Sequence, residues 1–163
     1  MSRFSIELLP LAADADPHIG TRLGVIKIGD FEERFEASTE FWTPARYKSQ
    51  WAEGLNRLGP NSPKSCLITS ITDPATANFL FWWPVYLIGQ NLHFQNHVLF
   101  FSEIKGAFDP DNPYPHVPER STTSETGERI SEWVIPFSDA LGARNALIDV
   151  SSPVLIAENP VQS

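Results

Sequence analysis

At 163 residues, with 42% apolar and 12% aromatic side chains, the chain carries one domain's worth of sequence and enough apolar mass for a full core. Twenty Asp and Glu against twelve Lys and Arg leave a formal charge of −8, which argues against unaided binding to nucleic acid or to an anionic membrane, since both need a positive field. The single cysteine, Cys66, excludes an internal disulfide and a zinc cage made of thiolates.

Phe4 to Leu9 alternates weakly and reads as a first strand, and Leu11 to Thr21 as a loop. Gly24 to Ile28 and Phe31 to Ala37 are strand-like runs joined at Gly29-Asp30, a two-residue hairpin signal. In the second run Phe31, Glu33 and Phe35 share one face, while Glu32, Arg34 and Glu36 form the solvent face. Five acids, Asp30, Glu32, Glu33, Glu36 and Glu40, fall within eleven residues answered only by Arg34. The clearest element follows, a helix over about 43–58. Thr43 is its N-cap, Pro44 its first position, Tyr47, Trp51, Leu55 and Leu58 its apolar stripe, and Gly59-Pro60 its stop.

Three strands come next: Ser65 to Thr72, Asn78 to Ile88, and Leu92 to Phe101. Asp73-Pro74 and Gly89-Gln90-Asn91 mark the turns between them. Lys105 to Glu119 is a proline-punctuated loop, long enough in a compact domain to suggest function. Glu128 to Ile135 reads as a last strand and Ser138 to Leu147 as a short C-terminal helix capped by Ser138 or Asp139. The expected domain is 1–150, with 151–163 a frayed tail. Successive strands joined by tight turns imply antiparallel pairing. The expected class is therefore α+β, with predominantly antiparallel sheets in a sandwich or strongly curved form.

The same residues offer little chemistry. No phosphate-cradling glycine loop is present. His93 and His97 lie in a strand-like run, where their spacing separates them by roughly 13 Å, too far to share a metal. Cys66 reads as a buried core residue, and Asp109/Asp111 or Glu125/Glu128 as solvated carboxylates of ordinary acidity rather than an acid–base pair. Glu119-Arg120 reads as a local salt bridge or turn, or as a paired polar contact presented beside the proline-rich loop. Neither the mixed stretch after Arg3 nor the apolar run Phe79 to Gly89, about half a membrane span, suggests export or insertion. A soluble cytoplasmic protein without cofactor or metal is expected.

Taken in order, Phe31-Glu32-Glu33, Trp42, Tyr47-Lys48 and Trp51, then Asn78-Phe79, Phe81, Trp82 and Tyr86, then Gln95-Asn96, Val98 and Phe100, form a recognisable series. It ends in Glu119-Arg120-Ser121-Thr122-Thr123, Gly127 and Ile130-Ser131-Glu132-Trp133. Over about Val25 to Leu141 the chain resembles the immunity proteins of bacterial contact-dependent growth inhibition systems, in the branch with a Whirly-like β fold. It departs from them in its first twenty residues, after Asp149, and in the proline-rich loop between Asp109 and Pro118. The resemblance implies a non-enzymatic antitoxin that binds the C-terminal toxin domain of a large exported effector. In the nearest branch that toxin is a nuclease acting on ribosomal RNA.

A basic toxin and an acidic inhibitor would attract one another. The expected toxin-binding residues are therefore Glu32, Glu36 and Glu40 on one side and Asp109, Asp111, Glu119 and Arg120 on the other. The aromatic surface around Trp82 and Trp83 is the reserve candidate. The partner expected is one basic toxin domain per immunity monomer, with no direct nucleic-acid or membrane contact. Two other readings stay open: a single-stranded nucleic-acid binder using aromatic strands, which would need a basic groove, and a small carboxylate-dependent hydrolase, which would need a pocket with two perturbed acids.

Overall fold

Local signals place the first sheet. The computed structural model describes residues 3–11, 14 and 19–151, the last three by backbone alone; the tail expected to fray lies beyond them from residue 152. Strands β1 (Phe4–Leu8), β2 (Thr21–Ile28) and β3 (Phe31–Ser38) pair antiparallel in that spatial order. Gly29 turns the β2–β3 hairpin at φ +60°, a conformation that favours glycine. The alternation along β3 is as read. Phe31, Glu33 and Phe35 are half-covered, whereas Glu32, Arg34 and Glu36 face solvent.

Helix α1 (Pro44–Asn56) begins as expected. The Thr43 hydroxyl accepts from the Arg46 N–H at 3.2 Å, and Pro44 occupies the first turn. Its stripe of Tyr47, Trp51 and Leu55 is buried.

The second sheet contains β4 (Lys64–Ser70), β5 (Phe79–Ile88), β6 (Asn91–Phe94), β7 (His97–Phe100) and β8 (Trp133–Pro136). Its order is β4-β5-β6-β8, with β7 pairing the first half of β5, and all its pairs are antiparallel. Helix α2 (Phe137–Ser151) packs against α1 and β1.

Three expectations need correction. The run Leu92 to Phe101 is not one strand but β6 and β7, interrupted at Gln95-Asn96. Register on β5 carries through the gap, because Phe94 faces Val85 and His97 faces Trp82. Gln95 therefore falls opposite Pro84; its N–H bonds the Pro84 carbonyl at 3.0 Å, but proline has no N–H to return the bond. The last strand is only Trp133–Pro136, since Glu128 is held in a turn by Ser124. Finally, Ser138 and Asp139 lie inside the first turn of α2 rather than capping it.

The first sheet lies on one face of the second. Phe31 packs on Trp133 at 4.2 Å and near Trp83 at 6.2 Å between ring centroids, and Phe4 stacks on Phe94 at 4.9 Å. The opposite face of β5 is covered by the chain between β7 and β8, where Tyr86 donates its hydroxyl proton to the Pro118 carbonyl at 3.0 Å. A short 3-10 turn in that connection, Tyr114–His116, puts Tyr114 in the core.

Helix α1 closes the outer edge of β4 through side chains. Gln50 accepts from the Ile68 N–H at 2.8 Å and donates to the Cys66 carbonyl at 2.9 Å, as a neighbouring strand would. Trp51 donates its indole N–H to the Ile68 carbonyl at 2.7 Å, and the Tyr47 hydroxyl accepts from the Ile71 N–H at 3.0 Å. An edge that would invite another chain is thereby satisfied internally.

Candidate interaction surface

The acidic strand is less one-sided in three dimensions than in sequence. The β2–β3 register sets Lys27 opposite Glu32 and Val25 opposite Arg34, so cations and acids alternate on the outer face. Lys27 and Glu32 approach to 3.9 Å, and Arg3 reaches Asp30 at 3.2 Å. Both pairs are exposed and contribute little to stability. Glu36 and Glu40 have no ion pair among the described residues. Glu33, on the inner face, accepts from the Asn96 amide at 2.9 Å and so lies against the β6–β7 junction.

The loop residues serve mainly as anchors. Asp109 accepts the Asp111 N–H at 2.9 Å and shapes the turn. Asp111 pairs with Arg46 at 2.7 Å, and that guanidinium sits 4.3 Å over the Trp42 ring. Asp111 therefore straps the loop to the start of α1. Tyr114 adds a second strap, donating to Glu53 at 2.6 Å beneath the Arg57 guanidinium.

Glu119 and Arg120 do not pair with each other as expected. Glu119 binds Lys64 at 2.7 Å, while Arg120 takes Glu132 in a two-pronged contact at 2.8 and 2.6 Å. Neighbours along the chain point to different anchors. The seven expected residues thus form no single patch: Glu32, Glu36 and Glu40 belong to β3 and its exit, Asp109 shapes a turn, and Asp111, Glu119 and Arg120 tie the long connection to α1, β4 and the approach to β8.

Glu132 is the best-satisfied carboxylate. Besides Arg120 it accepts from Gln95 at 2.9 Å and faces His93 Nδ1 at 3.1 Å. The Arg120 contact, reinforced by Gln95 and His93 against a desolvation penalty, holds its pKa down to about 2. A carboxylate held ionised this firmly is poorly placed to exchange protons at neutral pH. His97 bonds the Gln95 side-chain oxygen at 2.8 Å, so His93 and His97 turn to different partners. Burial lowers the His97 pKa and raises that of the Cys66 thiol, keeping the thiol protonated in the core.

The reserve candidate must be corrected. Trp82 and Trp83 are each only 1% exposed. Among the described residues the aromatics that do face solvent are Phe41 (38%), which stands apart before α1, and Phe79 (42%), Phe81 (44%) and Phe100 (44%), the last three joined by Val98 (39%). Phe79 is opposite Phe100, and Phe81 opposite Val98, across β5 and β7. Phe79 packs edge-on against Phe81 and Phe100 at 5.5 and 6.1 Å, so the group is contiguous. Sequence reasoning missed it because β5 is apolar on both faces, and nothing in Phe79 to Tyr86 marks where the covering sheet stops.

These features define an acidic α+β protein with a contiguous solvent-facing aromatic patch, the make-up of an interaction domain. The family follows from comparison: residues 37–141 match the CdiI N-terminal domain, and the chain belongs to that family. The immunity protein CdiI of Enterobacter cloacae is 31% identical over 122 residues, which cover 75% of this chain and 83% of that protein. The fold is shared with a chain of the CdiA-CT/CdiI toxin and immunity complex from Enterobacter cloacae. There the TM-score is 0.79 and the identity 27%, over 90% of this chain and 99% of the other. The family match and the resemblance read from sequence both end at Leu141.

Proposed function

We propose that this chain is an immunity protein that binds and neutralises the C-terminal toxin domain of a CdiA-type effector, without turnover of its own. The likeness along nearly its whole length to a chain from a toxin–immunity complex carries this reading. The physical features agree with it. A net charge of −8 favours encounter with a basic partner. A sheet strapped to its helix by side-chain hydrogen bonds loses little further entropy on docking.

The finer reading is a nuclease toxin with ribosomal RNA as its substrate, bound one-to-one in the bacterial cytoplasm. Carboxylates of the inhibitor would then compete for the Lys and Arg that hold RNA phosphates. The test uses the toxin domain encoded beside this gene. Titration calorimetry should give a 1:1 complex, co-expression should restore growth, and the chain should block ribosomal RNA cleavage in vitro. Glu32→Lys with Glu36→Lys should slow association several-fold at low salt and much less at high salt. Absence of any complex with that toxin would sink the proposal.

A further inference from the structure

Phe31, Trp83 and Trp133 mark where the first sheet covers the second, and two hydrogen bonds mark where that cover ends. Glu33 at one point of β3 accepts from Asn96, and the Ser38 N–H at its far end bonds the Ser70 hydroxyl at 3.1 Å. Asn96 continues the register to a place opposite Trp83, whereas Ser70 is opposite Phe81. Strand β3 therefore runs obliquely across the second sheet. On the same face of β5 it leaves Trp83 buried under it and Phe81 exposed just beyond.

Beyond that line lies a ledge. Its floor is Phe79, Phe81, Val98 and Phe100, and its wall is the outer edge of β3. Among the described residues the wall is unpaired over much of its length: β3 is the last strand of its sheet, and the Thr39 N–H bonds back to the Gly20 carbonyl while Ser38 turns outward. Alternation then places the backbone N–H and C=O of Arg34 and Glu36 on that outer edge as well. Strand β7 is a second open border, since among the described residues it pairs only with β5.

Resting on the function proposed above, we infer that this ledge is the toxin-docking surface. It takes an apolar protrusion of the toxin on the phenylalanine floor, with basic side chains beside it meeting Glu33 and Glu36. Exposed apolar groups that pack contiguously on a small protein are characteristic of interfaces, and aromatic anchors that become desolvated at the centre of a contact are where binding energy concentrates. The wall is acidic on balance, with Glu32, Glu33 and Glu36 against Arg34, and that excess selects the occupant. A second copy of this chain would bring its own Glu33 and Glu36 to the contact, and a nucleic acid would bring phosphates; both meet like charge. A basic protein surface does not.

The experiment measures binding of the toxin domain encoded beside this gene to Phe79→Thr/Phe81→Thr, Phe100→Thr, Glu33→Gln and Val134→Thr. Threonine keeps the strand preference, and Val134 is an exposed apolar residue on β8, away from the ledge. The phenylalanine variants should weaken affinity by roughly 30-fold or more, chiefly through faster dissociation. Glu33→Gln should slow association at low salt, and Val134→Thr should change nothing. Amide exchange on the unmutated chain gives a readout independent of folding defects, with toxin-dependent protection expected in β3 and β7. Wild-type binding with ledge variants within twofold of it, or protection confined elsewhere, overturns the ledge while leaving the immunity function standing. A wild-type dimer dissolved by Phe81→Thr with toxin affinity unchanged overturns it in favour of self-association. Failure of the wild type to bind the toxin defeats the function itself.

Discussion

Gln50 should behave as a piece of β-strand supplied by a helix, and its replacement should cost far more than a surface glutamine. The side chain is 1% exposed and bonds the Ile68 N–H and the Cys66 carbonyl at 2.8 and 2.9 Å. Gln50→Leu preserves volume but strands one buried donor and one buried acceptor on the edge of β4. Each orphaned group costs about 1–3 kcal/mol, so about 2–6 kcal/mol of unfolding free energy should be lost. Gln50→Glu keeps an acceptor for Ile68 but turns an oxygen toward the Cys66 carbonyl, and should be at least as damaging at neutral pH. Urea unfolding followed by tryptophan fluorescence gives the measurement, and an unchanged m value would confirm that the difference lies in stability. A Gln50→Leu protein within about 0.5 kcal/mol of wild type, the range of ordinary surface changes, would refute the claim that α1 closes this edge through Gln50.

Trp51→Ala should lose about 3–5 kcal/mol in the same assay, because it empties a fully buried site and orphans the Ile68 carbonyl. Gly54→Ala should destabilise although alanine favours helix by about 1 kcal/mol, since a Cβ there would sit 2.5 Å from the Cys66 carbonyl oxygen; a stabilised variant would show that α1 can move off β4. Glu132 has its folded pKa depressed to about 2. Its contribution is therefore complete above the ordinary carboxylate pKa of about 4.3 and is lost as pH falls toward 2. Glu132→Gln should lower stability at pH 7 and flatten its dependence on pH between about 5 and 2, and an unchanged slope would contradict the Arg120 pairing.

Short-range signals were legible in the sequence and long-range ones were not. Thr43-Pro44 and Gly29-Asp30 act within a few residues, so the start of α1 and the first hairpin followed from local chemistry. The break at Gln95-Asn96 depends on Pro84, eleven positions earlier, which becomes visible only once β5 and β7 are in register. The charged residues show the same limit. Glu119 and Arg120 are adjacent in sequence, yet their partners Lys64 and Glu132 lie 55 and 12 residues away. Counting acids along β3 overstated its negative character because the cross-strand cation Lys27 arrives from β2.

The placement of closed and open strand edges explains how such a fold can bind without aggregating. The edge of β4 is long and buried, the kind that recruits other chains when left open, and α1 occupies it with Gln50, Trp51 and Tyr47. Among the described residues the edges of β3 and β7 stay open, but β7 is only four residues long and β3 carries glutamates along its length. Short strands and charge deter edge-to-edge pairing between copies of one acidic protein. The same charge attracts a basic surface, which neutralises it and can then cover the phenylalanines beside it. A feature that keeps the free protein apart from its own copies thus becomes, toward a partner of opposite charge, the means of selecting it.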